Sequence, residues 1–249
     1  MGKSFRFLLQ FAVGNLASLL GFAVLVIAGC YATGVPAATG VPAATGVPAA
    51  TGVPAAASST NLFEKYYVMF PLMAAFCLFL FAFALCTSSL HLGLSMGARR
   101  GDFFWAIQGI ILFYTLACWA LQLFMSAFPG LAGWAARDRW LLLGMFDGRP
   151  WAYPLICGAV MILGCLSGML MIRHKVLGIL VVVLSVFAMI GAVVVLMLLA
   201  DTSMMDFLYD TQWGGMWSAL PGAMAAGLAL ASAGGEYLIW RAIQRFVVR

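Results

Sequence analysis

Apolar residues run along this chain in six long blocks, at about 7–31, 66–96, 103–128, 151–172, 176–200 and 216–240. Each reaches the ~17–25 residues that a helix needs to cross a bilayer. Hydrocarbon offers the backbone no water, so each block is predicted to be an α-helix whose N–H and C=O groups pair within the segment. Only Arg173-His174-Lys175 separates the fourth block from the fifth, which predicts a tight hairpin at the membrane surface. Pro221 lies near the beginning of the last block, and a helix start is where proline is tolerated. The expected fold is all-α: an integral membrane bundle of six transmembrane helices, forming a single domain over residues 1–249.

The polar residues between the blocks predict an orientation. With the N-terminus inside, the inner side collects Lys3, Arg6, Arg99, Arg100, Arg173, Lys175, Arg241, Arg245 and Arg249. The outer side keeps Lys65, Arg137, Arg139 and Arg149, together with most of the acidic residues. Lys and Arg concentrate in the loops that stay inside, so both termini are expected on the inner (cytoplasmic, stromal or matrix) side. Aromatic rings agree, with Tyr66, Tyr67, Trp134, Trp140, Trp151 and Trp213 near the outer boundaries and Trp105 and Trp240 near the inner ones.

Between the first two blocks, residues 32–57 carry a low-complexity segment in which Ala-Thr-Gly-Val-Pro-Ala recurs in tandem. Pro36, Pro42, Pro48 and Pro54 repeat with a period of six, as do Gly34, Gly40, Gly46 and Gly52. Glycine and proline at this density interrupt helices and strands alike. An uncharged outer linker of polyproline II and turns is expected, or an arm lying along a neighbouring subunit.

Composition narrows the class. Hydrophobic residues make up 65% of the chain and charged residues 8%, against roughly 25% in a soluble domain, which excludes a soluble globular or disordered protein. The net charge of +5 sits in clusters at block ends and so marks topology; no nucleic acid partner is expected. The six cysteines include no C-x-x-C pair and read as small apolar packing residues. Ile27-Ala28-Gly29-Cys30 has the look of a bacterial lipobox, but the apolar run before it exceeds the ~7–15 residues of a signal-peptide core. The first block is therefore read as a span, which leaves lipidation of Cys30 an open alternative.

Candidate chemistry is sparse. Apart from hydroxyls, the polar groups within blocks are Gln10, Asn15, His91, Gln108, Gln122 and Glu236. An ionisable side chain in hydrocarbon is a functional candidate by default. His91 and Glu236 both fall in the inner leaflet and form a candidate intramembrane site for a proton or cation. Asp201, Asp206 and Asp210 make an acidic outer segment without EF-hand spacing. Gly164 and Gly168 in the fourth block, and Gly227, Ala231 and Gly235 in the last, recur every four residues and predict faces on which helices approach closely.

Hydrolase, nucleotide-binding and zinc-protease signatures are missing, and the two histidines are too few for a bis-haem bundle. No catalytic, cofactor or metal residues are therefore expected. Bound lipid is expected, and other membrane subunits or a second copy of the chain are the expected partners. The expected role is that of a non-enzymatic accessory or scaffold subunit of a membrane complex. The alternative is a small-solute or ion transporter using His91 and Glu236.

Overall fold

A computed structural model of the chain describes residues 2–33, 62–95, 99–134, 150–199 and 214–245. The repeat from residue 34 onward and the acidic segment holding Asp201, Asp206 and Asp210 lie outside the described residues. All regular structure among the described residues is helical: α1 (Gly2–Ala32), α2 (Leu62–Val68), α3 (Phe70–Ala84), a π turn (Leu85–Ser89), α4 (Leu90–Ser95), α5 (Arg100–Leu131), α6 (Ala152–Arg173), α7 (Lys175–Leu199) and α8 (Gly214–Gln244). Four stretches are long and apolar enough to cross a membrane: Phe5–Ala32, Phe70–Ser95, Arg100–Leu131 and Ala152–Arg173. The multi-pass membrane character expected from the apolar blocks thus stands on four helices. Helix α7 adds a shorter apolar stretch, Lys175–Ala188.

Contacts fix how the helices run. Phe5 of α1 packs at Gly109 and the Tyr114 hydroxyl bonds to Ala12, so α1 and α5 point the same way. Gly164 meets Phe79 and Ala82, and Gly168 meets Phe83 and Cys86, so α3 and α6 are also parallel. Gly93 of α4 packs on Phe103, near the start of α5, and Arg100 reaches the carbonyl of Gln244 at the end of α8. The beginnings of α1 and α5 therefore share one end of the bundle with the finishes of α4 and α8.

Helix α6 sits at the centre, with extensive contacts to α3, α5, α7 and α8. Its buried side chains include Tyr153, Cys157, Met161, Cys165 and Met169. By contrast the main packing of α7 among the described residues is on α6, with Gly178, Val182 and Ser185 turned inward, and Val176 is left at 82% and Phe187 at 67% exposure. A polar surround would not tolerate that much exposed aliphatic surface; a lipid one does.

Two prolines decide local structure. Pro71 cannot donate a hydrogen bond to the carbonyl of Tyr67, and the chain breaks at Met69 between α2 and α3. Of the block expected at 66–96, Phe70–Ser95 forms one candidate span, and its first residues belong to α2. Pro221 falls seven residues inside α8, which begins at Gly214, so the helix starts earlier than the proline suggested.

The end of α5 is closed by a left-handed glycine. Gly133 has φ +67, which lets the Trp134 N–H return to the Pro129 carbonyl at 2.8 Å. This turn folds the Trp134 ring back against Phe128, with centroids 5.5 Å apart, and between Tyr31 of α1 and Tyr67 of α2. Three elements are thereby pinned at the end of the bundle opposite Arg100.

Candidate functional site

Small residues bring the α3–α6 pair into backbone contact. A Cβ placed on Gly164 would lie 2.6 Å from the Phe79 carbonyl oxygen, and one on Gly168 would lie 2.8 Å from that of Phe83. Cys165, between them, directs its thiol to the Ala82 carbonyl at 3.7 Å. The π turn lies just beyond. Its wider winding loosens the ladder of backbone bonds, and the Thr87 hydroxyl donates to the carbonyls of Phe83 and Ala84 at 3.0 and 3.3 Å. The glycine face expected at Gly164 and Gly168 is thus used within the chain.

The face expected at Gly227, Ala231 and Gly235 is divided. Gly235 is buried against Ile162 and Leu166 of α6, and the line continues through Ile239 and Ile243. Gly227 and Ala231 are exposed, and nothing stands within 4 Å of a Cβ built on Gly227. The reason is geometric: residues four apart drift about 40° around a straight helix, so a stripe at that spacing winds away from its partner. The half-buried positions Ala225, Leu228 and Ser232 carry the contact onward instead.

Buried tyrosines stitch helices together through carbonyl groups. Tyr67 donates to Met125 at 2.7 Å, Tyr114 to Ala12 at 3.1 Å and Tyr153 to Pro71 at 3.1 Å. The first bond answers a specific deficit. Pro129, inside α5, has no N–H to give the Met125 carbonyl, and the Tyr67 hydroxyl takes that place.

Helix α5 also bears a polar stripe that Gln108 and Gln122, read singly, do not reveal. Gln108, Thr115, Trp119 and Gln122 follow one another at helical spacing, and Thr115 faces Gly158 of α6. Gln108 Nε2, Thr115 Oγ1 and Trp119 Nε1 are buried with no hydrogen-bond partner. An orphaned polar atom in a low-dielectric interior destabilises the fold by about 1–3 kcal/mol. Gln108→Leu is therefore expected to raise the unfolding midpoint in detergent. A midpoint that falls would show that the amide makes an unseen bond.

Glu236 lies at the depth of Gln108, the first residue of this stripe. The rings of Phe104 and Trp240 meet edge-on at 4.9 Å, which sets the register of α5 against α8. One turn further into the bundle are Gln108 on α5 and Glu236 on α8, at the same depth. Glu236 is half-buried. His91 belongs to α4, but its side chain lies outside the described residues. Helix α4 packs on the π turn and α5, whereas α8 packs on α6 and α5.

Among the described residues, no three His, Cys, Asp or Glu side chains gather in a metal-binding group. Five cysteines are buried and unbridged, as packing residues should be, while Cys77 is exposed. A groove of about 340 Å³ between α1 and α5 is lined by Leu16, Leu20, Val24, Ala120 and Phe124, all apolar, and suits hydrocarbon. Compared with protein families, curated proteins and solved structures, the chain shows no match.

Proposed function

We propose that this chain is a non-catalytic accessory or scaffold subunit of a larger membrane complex. In this reading it spans the bilayer six times, with α7 and α8 completing the four core spans. Both termini are then on the inner side and the repeat of residues 32–57 is outside.

The observation that carries the reading is the divided face of α8. Its small residues are used where α6 covers them and stand open at Gly227 and Ala231. In lipid, where apolar burial does not drive association, open small-residue faces are the surfaces on which helices pair. Helix α7, exposed at most of its described positions between Lys175 and Gly191, adds a second open apolar surface on α6.

Native mass measurement in nanodiscs tests the reading. The wild-type chain is expected to co-purify with other membrane subunits in defined stoichiometry, and Gly227→Ile with Ala231→Ile is expected to release it. A lone chain of 26.6 kDa from the native membrane, unaffected by those substitutions, overturns the proposal. The register of Glu236 with Gln108 supports the transporter alternative. That outcome would move attention there, to cation flux in proteoliposomes and its loss in Glu236→Gln and His91→Ala.

A further inference from the structure

The ends of α5 and α8 are joined by an arginine. Arg100 Nη1 donates to the carbonyl oxygen of Gln244 at 2.7 Å. That bond brings the start of α5, with Arg100 and its N-cap Arg99, to the end of α8, where Arg241 lies in the last turn and Arg245 follows directly after the helix. All four guanidinium groups are exposed. Among the described residues at this junction the acid is Asp102, in the first turn of α5. Four arginines less one aspartate leaves a local charge of +3. Like charges gathered this closely call for an anion.

Neighbouring rings give the depth. Trp105 is 56% exposed and Trp240 is 37% exposed, and both lie directly on the membrane side of the arginines. Exposed tryptophans in a spanning bundle sit at the level of lipid headgroups. The arginines therefore stand where phosphate groups are. Tyr237 and Leu238, exposed one turn deeper on α8, continue the surface into the hydrocarbon.

We propose that the α5–α8 junction binds the phosphate headgroup of an anionic phospholipid, held by Arg99, Arg241 and Arg245, with Arg100 fixing the two helix ends together. Guanidinium groups pair with phosphate oxygens in parallel N–H···O bonds, a fit that a lysine ammonium does not reproduce. A free phosphate shares this chemistry. The lipid is preferred because the flanking tryptophans and the apolar surface beneath them engage the rest of the molecule.

The test uses the full chain in nanodiscs of phosphatidylcholine with a minority of phosphatidylglycerol. Lipid retention is read by native mass spectrometry. Wild type is expected to hold phosphatidylglycerol in preference to phosphatidylcholine. Arg241→Gln with Arg245→Gln is expected to weaken that retention about tenfold or more. Arg173→Gln with Lys175→Gln removes equal charge at the same end of the bundle, from the α6–α7 hairpin, and is expected to change it little. Added inorganic phosphate is expected not to displace the lipid. Equal losses in the two double variants would reduce the cluster to a diffuse basic rim and overturn the proposal. So would equal retention of the two lipids, or full displacement by inorganic phosphate. If the Arg241/Arg245 variant does not fold, Arg99→Gln carries the same comparison, with a smaller expected loss.

Discussion

Gly164→Ala lowers the stability of the bundle by about 1–3 kcal/mol, the usual penalty for forcing a methyl group into a filled interior. The new Cβ meets the Phe79 carbonyl oxygen at 2.6 Å and the Ala82 Cβ at 2.9 Å. Neither belongs to a flexible side-chain end, so relief requires α3 and α6 to part. Because α6 also carries α5, α7 and α8, the parting is felt throughout the fold. Gly168→Ala behaves in the same way against the Phe83 carbonyl, at 2.8 Å. Gly227→Ala is the matched control: its Cβ enters open space, and the isolated chain keeps its stability. Unfolding by steric trapping or graded detergent denaturation measures all three. A Gly164→Ala variant as stable as Gly227→Ala would mean that the two helices are not in backbone contact.

Tyr67→Phe destabilises the protein by about 1–3 kcal/mol, because the Met125 carbonyl then has neither an N–H from residue 129 nor a hydroxyl from α2. The same substitution does less harm in a Pro129→Ala background. Alanine restores the N–H that α5 lacks and returns the carbonyl to the helix ladder. The double-mutant cycle isolates this dependence, with the sign of the coupling as its readout. Additive effects of the two substitutions would show that the Tyr67 hydroxyl is not compensating for the proline.

The helices themselves were legible, because an apolar run of spanning length admits one regular backbone solution in hydrocarbon. The expectation is coarsest where a block is not uniform inside. Nothing in Leu85-Cys86-Thr87-Ser88-Ser89 announces a π turn, since its winding depends on how α3 meets α6. The break at Met69 was within reach of Pro71, whose missing N–H is a local fact.

The candidate sites divide along a similar line. Gly164, Gly168 and Gly235 were recognisable as close-approach residues from spacing alone, but their partners were not. Gly227 and Ala231 share the spacing and differ only in what lies opposite, which is a property of the bundle. The tyrosine stitches were hidden for a related reason. Pro129 reveals an unsatisfied carbonyl at Met125, yet it does not say that Tyr67, 58 residues before Met125, will answer it. The stripe on α5 could have been found by counting Gln108, Thr115, Trp119 and Gln122 on one helical wheel rather than taking the glutamines singly.

The central place of α6 has a consequence for biosynthesis. The chain emerges from its N-terminus, so α1 and α5 can pair early, while α3 enters the membrane before its principal partner α6 exists. Until residue 173 has left the ribosome, the carbonyls of Phe79 and Phe83 face whatever lipid or insertion machinery stands in for Gly164 and Gly168. Closure of α3 onto the bundle is therefore a late event, set by the arrival of α6, after which α7 and α8 settle on a surface already made.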